Sequence, residues 1–368
     1  MIKKLVLIAS LFTWIASVSP AQAQCTGTWP QNISWNGWTF SFIRPCLTGA
    51  TTSGGNGGGI EIQNAKYKGR LVFTKAHTPI LNVKYKNDLC GPYRDWQDEE
   101  SVMNCTNITS PGRCDGPVTT NCDVPGGGDT GSFTGVAVTR TPARLTLTTN
   151  VSAGWYRYVI KWHFFPDGTF HPEAFFGAVP ASCVTNPHVH MIYFRVDVDV
   201  EGDANAIEEH NDYRKISGDG SQYWYSWDPV FIETMRMKQQ DGSRWWRVVN
   251  RTTSRAYLIL PPELFAGGTP PDDDEYGIVP QLGDIWFLKY NSANQEETAD
   301  GGSFSRYWAH LNQFITDTSA EFPNDQQQSW DVVVWAAGGT LHQVEAANPT
   351  CHVVQGPYFT PDPKGTSW

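Results

Sequence analysis

Two histidines separated by one residue open a segment with a strong strand pattern. His188 and His190 begin the run from His188 to Val200 (HVHMIYFRVDVDV), which is rich in β-branched and aromatic residues. Side chains two positions apart on a strand point to the same face, so both imidazoles can bind one metal ion. An imidazole pair suits copper or zinc and needs a third ligand from elsewhere in the chain. Composition alone leaves these candidates for that ligand: His163, His171, His210, His310, His342 and His352.

Two aspartates lie further along the same predicted strand. Asp197 and Asp199 belong to the run VDVDV, and in a regular strand their side chains face away from His188 and His190. Two carboxylates combined with backbone oxygens suit a hard cation such as calcium. A D-x-D pair is more commonly a solvated strand edge, because ionised carboxylates are seldom buried, so both interpretations stay open at this point.

The composition describes a folded chain with a large core and many turns. Of its 368 residues, 40% are hydrophobic and 13% are aromatic, which excludes wholesale disorder. The 34 glycines, 24 prolines and 16 tryptophans indicate strands joined by turns. With 27 basic and 37 acidic residues the net charge is −10, which argues against nucleic acid or an anionic membrane as a partner.

Residues 1–23 have the organisation of a secretory signal peptide. Two lysines precede an apolar run from Leu5 to Val18, and Ala21-Gln22-Ala23 is a small-x-small cleavage site. The apolar run is too short to span a bilayer comfortably, and no later segment reaches about 18 apolar residues. We therefore expect a mature chain that begins at Gln24, is secreted or periplasmic, and has a net charge of −12 because two lysines are lost.

All eight cysteines follow the predicted cleavage site. An even number of cysteines in an exported chain indicates disulfides rather than a metal cluster. Their connectivity stays open, because eight cysteines allow many pairings. The one pairing that we predict, Cys183 with Cys351, rests on the position of both residues near the histidines. The other cysteines are Cys25, Cys46, Cys90, Cys105, Cys114 and Cys122.

Short segments rich in alternating, β-branched or aromatic residues recur along the mature chain. Helical periodicity is weak except between Phe304 and Thr316. The pattern predicts an all-β fold, a single large antiparallel β-sandwich over residues 24–368 with disulfides and few helices. The predicted strands include Arg144 to Val151, Tyr156 to Phe165, His188 to Val200, Trp245 to Leu260, Ile285 to Tyr290 and Trp330 to Ala336.

Several segments between about Gly69 and His342 together resemble the catalytic domain of the copper amine oxidases. The H-x-H pair followed by Phe194 to Gly202 (FRVDVDVEG) is similar to the family's H-x-H strand and its R-x-D-x-D-x-D-G segment. Asp331 to Trp335 (DVVVW), with Gly339 and His342 behind it, is similar to the strand that carries the family's third copper ligand. No counterpart of the family's large N-terminal domains is recognised.

The resemblance implies two metal sites. Copper would be bound by His188, His190 and His342, while His352 stays a rival for the third position. A peripheral calcium would be bound by the side chains of Asp197, Asp199 and Asp331 and the carbonyl oxygens of Val198 and Val332.

The resemblance also implies a quinone formed from the chain itself. Leu145 to Tyr158 is similar to the family's quinone strand, whose core reads T-x-G-N-Y-D/E-Y, and Tyr156 occupies the position of the tyrosine that becomes topaquinone. Upstream, Tyr85 takes the place of a tyrosine that hydrogen-bonds the quinone, and Asp98 takes the place of the catalytic base.

Two residues beside Tyr156 depart from the family pattern. Trp155 replaces the family's asparagine, and Arg157 replaces its acidic residue. Strand alternation predicts that both side chains face away from that of Tyr156, with Trp155 as a packing residue and Arg157 in solvent.

The activity implied by the resemblance is oxidative deamination of a primary amine by O2 to an aldehyde, ammonia and hydrogen peroxide. The amine would be a small molecule or carried on a polymer, and the family implies a homodimer. Two alternatives stay open. One is a copper oxidase or oxygenase on the same scaffold with unmodified Tyr156 and a phenolic, peptide or saccharide substrate. The other is a calcium-stabilised binding module whose tryptophans stack on sugars.

Overall fold

The computed structural model describes residues 24–26, 29–44, 59–90, 93–94, 113–116, 120, 122, 135–153, 155–178, 181–213, 224–236, 244–260, 285–291, 310–316, 329–342 and 351–368. The predicted signal peptide, residues 1–23, lies outside them. In chain order the strands are Gln24–Thr26 (β1), Gln31–Trp35 (β2), Trp38–Ile43 (β3), Glu61–Tyr67 (β4), Arg70–Tyr85 (β5), Tyr93–Arg94 (β6), Arg113–Asp115 (β7), Val136–Arg140 (β8), Leu145–Ala153 (β9), Tyr156–Phe164 (β10), Phe170–Ala178 (β11), His188–Val198 (β12), Ala206–Tyr213 (β13), Trp224–Val230 (β14), Thr234–Arg236 (β15), Arg244–Asn250 (β16), Arg255–Leu260 (β17), Ile285–Lys289 (β18), Val332–His342 (β19), His352–Gln355 (β20) and Tyr358–Pro361 (β21). Short 3-10 helices occupy Lys86–Asp88, Ser182–Thr185 and His310–Phe314. The described residues contain no α-helix.

The described strands form two large sheets. One has twelve strands in the order β1-β7-β8-β9-β10-β11-β21-β17-β16-β13-β14, with β20 paired to β11. The other has nine strands in the order β15-β18-β19-β12-β5-β4-β3-β2, with β6 paired to β5. Among these strands the pairing is antiparallel except between β7 and β8, which are parallel. The predicted antiparallel β-sandwich is confirmed.

The main core lies between the two sheets and is built by strand alternation. In β10, Tyr158, Ile160 and Trp162 are fully buried and belong to this core. In β12 of the other sheet, Ile192 and Phe194 belong to the same cluster. A polar residue at an equivalent position of either strand is therefore enclosed by both sheets.

The nine-stranded sheet also buries part of its outer face. Tyr193, Trp286 and Trp335 pack there in a second cluster that includes Leu311 of the His310–Phe314 helix. The indole of Trp286 donates a hydrogen bond to Asn312 Oδ1 at 2.8 Å, which ties the helix to the sheet. Of the segment predicted to be helical, residues 304–309 lie outside the described chain. None of the described helices is long and apolar enough to cross a bilayer.

Two disulfides lie in the described chain, and they correct the predicted pairing. Cys183 is bonded to Cys90, and Cys351 is bonded to Cys122. The prediction that Cys183 joins Cys351 is wrong, because the Ser182–Thr185 helix packs beside Cys90, which follows the end of β5. The first disulfide thereby joins the chain just after Tyr85 to the chain just before His188.

Candidate functional site

Three adjacent strands of the nine-stranded sheet bring Tyr85, His188 and His342 into one row. His188 begins β12, and its register partners are Tyr85 on β5 and His342 on β19. His190 lies two residues further on the same face of β12. The side chain of His342 is outside what the structure describes, so the position of this residue is known from the strand register alone.

His188 is held in a single tautomer. Its Nδ1 lies 2.6 Å from the carbonyl oxygen of Asn186, and because a carbonyl only accepts, Nδ1 carries the proton and donates it. The lone pair is therefore on Nε2. Burial lowers the pKa of His188 to about 4; the hydrogen bond to Asn186 partly opposes this effect, and the charge of His352 adds to it. At neutral pH His188 is a neutral imidazole, which is the form that binds a metal.

Tyr156 reaches the same place from the twelve-stranded sheet. It begins β10, and its side chain is 2% exposed. Its ring is perpendicular to that of His190, with 4.5 Å between the centroids, and its centroid lies 5.6 Å from that of His188. Phe176 and Tyr158 complete the aromatic enclosure of His190, at 5.0 and 5.9 Å between centroids.

A chain of hydrogen bonds links Trp155, Tyr85 and Tyr156. The hydroxyl groups of Tyr85 and Tyr156 are hydrogen-bonded to each other, and the indole N–H of Trp155 donates to the Tyr85 oxygen at 3.1 Å. Since an indole N–H can only donate, the proton of Tyr85 is available to be donated to Tyr156. The expectation that Trp155 faces away from the site is wrong, because Trp155 precedes the first residue of β10 and strand alternation does not apply to it.

Arg157 lies on the opposite face of β10 from Tyr156, in agreement with strand alternation. The expectation that it is solvated is wrong, since the residue is only 9% exposed. Its Nη1 donates a hydrogen bond to the carbonyl oxygen of Tyr156 at 2.7 Å. The guanidinium is therefore directed at the backbone of Tyr156 and not at its ring.

Two of the predicted third ligands lie near the histidine pair. His342 is opposite His188 in the sheet register. His352 begins β20, where its register partner is Phe176, whose ring borders His190. β20 lies close against β19 because Gly338 has no side chain: a Cβ there would meet Val354 Cγ1 at 2.5 Å.

The other candidate residues lie elsewhere or outside the description. His163 and His171 are on the opposite face of the twelve-stranded sheet from Tyr156. His210 stacks on Trp245, with 4.5 Å between centroids. The side chain of His310 and the whole of Asp98, the predicted base, lie outside the described residues.

The three predicted acidic ligands are close together. One carboxylate oxygen from each of Asp197, Asp199 and Asp331 lies within 4.8 Å of the others. Burial, followed by the charges of Asp197 and Asp331, raises the pKa of Asp199 to about 8. Val198 and Val332, whose carbonyl oxygens complete the predicted set, are register partners beside this cluster.

A second cluster was missed by the sequence analysis, which treated its histidines only as possible third ligands. His163, His171 and Glu173 each offer a ligand atom, and these atoms also lie within 4.8 Å of one another. Burial lowers the pKa of His171 to about 4, and the charge of His163 adds to this effect. The available signal was the H-x-E spacing of His171 and Glu173 on one strand, with His163 at the mirror position across the turn at Asp167 and Gly168.

Solved structures of copper amine oxidases share this architecture. A copper-containing benzylamine oxidase from Hansenula polymorpha has 15% sequence identity and a TM-score of 0.59, over 98% of this chain and 63% of that chain. An Aspergillus nidulans amine oxidase has 15% identity and a TM-score of 0.59, over 97% of this chain and 55% of that chain. Pichia pastoris lysyl oxidase has 15% identity and a TM-score of 0.58, over 98% of this chain and 56% of that chain.

The chain thus spans between 55% and 63% of the length of these structures. No protein-family model and no curated protein matches it. At 15% identity the likeness establishes the fold alone: the chain has the β-sandwich fold found in copper amine oxidases.

Proposed function

We propose that this chain is a copper-dependent oxidase that deaminates a primary amine with O2 through a quinone derived from Tyr156. The observation that carries the proposal is the meeting of Tyr156 with Tyr85, His188 and His190 in the buried space between the sheets. An oxidisable phenol, a hydroxyl partner and two imidazoles lie there together.

The donor chemistry fits copper. His188 presents Nε2 as its lone-pair nitrogen, because Nδ1 donates to Asn186. This hydrogen bond from Nδ1 orients the ring in the way that supporting partners orient metal-bound histidines. Imidazole nitrogens suit copper, and the third would come from His342.

Bound copper would supply the activation of O2 that oxidises the Tyr156 ring, and the quinone would then accept the electrons of the amine. The overall reaction balances as amine, O2 and water giving aldehyde, ammonia and hydrogen peroxide. Asp98 is the proposed base that removes the proton on the carbon next to nitrogen.

Tyr85 and Trp155 are proposed to hold the oxygen of Tyr156. Trp155 donates to Tyr85 at 3.1 Å, so Tyr85 can direct its own proton at Tyr156. A donor aimed at this oxygen stabilises negative charge on it, and charge-assisted hydrogen bonds are about twice as strong as neutral ones. The cation of Arg157 points instead at the Tyr156 carbonyl, so its positive charge is not directed at the ring with which an ammonium substrate would react.

Calcium is proposed at Asp197, Asp199 and Asp331, with the carbonyl oxygens of Val198 and Val332. The support is the approach of three carboxylates to within 4.8 Å, which costs free energy through mutual repulsion unless a cation or protons neutralise them.

Export through the segment 1–23 is proposed as well. The two disulfides support it, because disulfides persist in oxidising compartments. A homodimer is the proposed assembly, on the resemblance to the family alone.

The test is reaction of the copper-loaded, aerated protein with phenylhydrazine, followed by a screen of primary amines for hydrogen peroxide release. We expect a coloured adduct in one equivalent per chain and peroxide release with at least one amine. The matched control is Tyr156→Phe, which keeps the buried ring and must give neither signal. Copper binding without an adduct and without peroxide would overturn the amine oxidase proposal.

The burial of Tyr156, at 2% exposure, favours a second candidate. A copper oxidase with unmodified Tyr156 would need no access of substrate to that ring. It predicts copper-dependent O2 consumption with a phenolic, peptide or saccharide substrate, and this activity would survive in Tyr156→Phe.

A further inference from the structure

The cluster of His163, His171 and Glu173 has the composition and the spacing of a metal site. His163 and His171 are register partners across the hairpin of β10 and β11, and Glu173 lies two residues beyond His171 on the same face. The distance is 2.8 Å between His163 Nε2 and Glu173 Oε2, and 3.9 Å between His171 Nε2 and Glu173 Oε1. Ligand atoms around a tetrahedral zinc are about 3.3 Å apart. The 2.8 Å separation is a hydrogen bond from His163 Nε2 to the carboxylate, so a zinc ion would take the place of this proton.

Hydrogen bonds on the far side of both rings orient them toward the carboxylate. His171 Nδ1 donates to the carbonyl oxygen of Pro172 at 3.2 Å, which leaves the lone pair on Nε2. His163 Nδ1 lies 3.0 Å from Thr146 Oγ1, which can accept a hydrogen bond from Nδ1–H when Nε2 binds a metal. Both histidines therefore have the outer partner that metal-binding imidazoles require.

The rings are also held by packing. His163 is 1% exposed and His171 is 2% exposed. The ring of Tyr358 stacks on His171, with 4.1 Å between centroids. The Glu173 side chain keeps 16% exposure, so solvent reaches the cluster from the carboxylate side.

Positive groups nearby do not occupy the cluster. Lys161 and Arg144 are close enough to act electrostatically on the histidines. The ammonium of Lys161, however, lies 4.3 Å from the centroid of the Phe175 ring, so it is directed along the sheet. Arg144 is exposed, where water and salt screen its charge.

We propose that His163, His171 and Glu173 bind a zinc ion with three protein ligands and a fourth position open to water. Two imidazoles and a carboxylate are a known zinc donor set, and a site with three protein ligands keeps one position for water or a small anion. The site lies on the outer face of the twelve-stranded sheet, whereas Tyr156 lies on its inner face, so it is separate from the proposed copper site.

The test is metal binding by the full chain after treatment with a chelator, in excess calcium and without copper. Zinc content per chain is measured after dialysis, and Co²⁺ is used as a spectroscopic probe of coordination. The main variant is His171→Phe, which keeps the stacking on Tyr358. The matched control is His210→Phe, which makes the same change at a buried histidine stacked on Trp245.

We expect His171→Phe to bind one zinc ion fewer than the wild type and His210→Phe to bind as many as the wild type. The Co²⁺ difference spectrum between the two variants should have the intense visible bands of a four-coordinate ion. Because only differences between variants are compared, the result does not depend on whether His188 and His190 bind zinc as well.

Glu173→Gln keeps the test valid if His171→Phe misfolds, since it preserves the shape of the Glu173 side chain and its ability to hydrogen-bond. It should weaken zinc binding at this site by at least about tenfold. Equal zinc content in the wild type, His171→Phe and Glu173→Gln would overturn the proposal, as would a difference spectrum without four-coordinate bands.

Discussion

The hydroxyl groups of Tyr85 and Tyr156 are hydrogen-bonded to each other across the two sheets, although the residues are 71 positions apart in the chain. Tyr85 ends β5 of the nine-stranded sheet, and Tyr156 begins β10 of the twelve-stranded sheet. The contact is possible because both residues occupy positions that face the core. It places the proposed quinone precursor and its hydrogen-bonding partner beside the histidine pair.

Replacing Tyr85 by Phe removes the hydroxyl that faces Tyr156 and keeps the ring that packs 4.8 Å from His188. A hydrogen bond to a charged group contributes about 1.5–3 kcal/mol, so we expect kcat for amine oxidation to fall about 10- to 100-fold. Trp155→Phe, which removes only the donor to Tyr85, should lower kcat less. Steady-state peroxide release measures both effects, and an unchanged kcat in Tyr85→Phe would show that this hydroxyl does not act on the reacting oxygen.

Removal of the His342 imidazole should cause loss of copper, whereas removal of the His352 imidazole should not. His342 is the register partner of His188, whereas His352 belongs to a strand of the other sheet. We therefore expect His342→Ala to lose bound copper and His352→Ala to retain it, as measured by metal analysis after dialysis. The reverse result would identify His352 as the third ligand.

Removal of the Cys90–Cys183 disulfide should weaken the site as well as the fold. The bond closes a loop with a sequence separation of 93, and such bonds typically contribute about 2–4 kcal/mol to the free energy of unfolding. Asn186 donates a hydrogen bond to Cys90 Sγ at 3.2 Å, and its carbonyl accepts from His188, so a loosened segment misplaces that histidine.

The double variant Cys90→Ser/Cys183→Ser should thus lose thermal stability and bind copper less tightly. The control is Cys122→Ser/Cys351→Ser, which removes a bond that holds β20 and not β12. Calorimetry and copper titration compare the two, and equal copper affinities would contradict the coupling between disulfide and site.

The calcium-free protein should lose stability as the pH rises from about 4 to about 8. Burial, followed by the charges of Asp197 and Asp331, raises the pKa of Asp199 to about 8 in the folded state. An acid whose pKa is raised by folding keeps its proton while the unfolded chain releases it, so stability falls between the unfolded pKa of about 4 and the folded one. Calcium, which binds ionised carboxylates, should oppose this loss.

Melting temperatures measured with a chelator and with calcium test this behaviour. We expect the chelator to lower Tm by about 2 °C or more at high pH and by less at low pH. Asp199→Asn should weaken the pH dependence in the chelator. A chelator effect that is equal at both pH values would argue against a cation at this cluster.

The strands were predictable because they are rich in β-branched and aromatic residues. A clean period of two is not what marked them, because β12 is buried along its whole length and β10 along nearly all of it. The segments at Tyr156 and His188 were predicted within two residues of their observed ends. β19 extends to His342, beyond the predicted end at Ala336, because pairing with β12 holds Gly338 and Gly339 in the sheet although glycine has little strand propensity.

Contacts between distant segments were the part that the sequence could not predict. The disulfide partners of Cys183 and Cys351 depend on how loops pack, which spacing does not reveal. Trp155 was assigned a direction by a strand rule that begins to apply one residue later. The burial of Arg157 depends on what covers the outer face of β10, and no local pattern reports that.

The most direct test of the central claim is the mass of the peptide that contains Tyr156, taken after copper loading in air and in a parallel sample kept without O2. Oxidation of the tyrosine to topaquinone adds two oxygen atoms and removes two hydrogen atoms. We predict this mass change on Tyr156 only in the sample that has both copper and O2, with Tyr85 and Tyr158 unchanged. An unmodified Tyr156 in protein with copper bound would contradict the account.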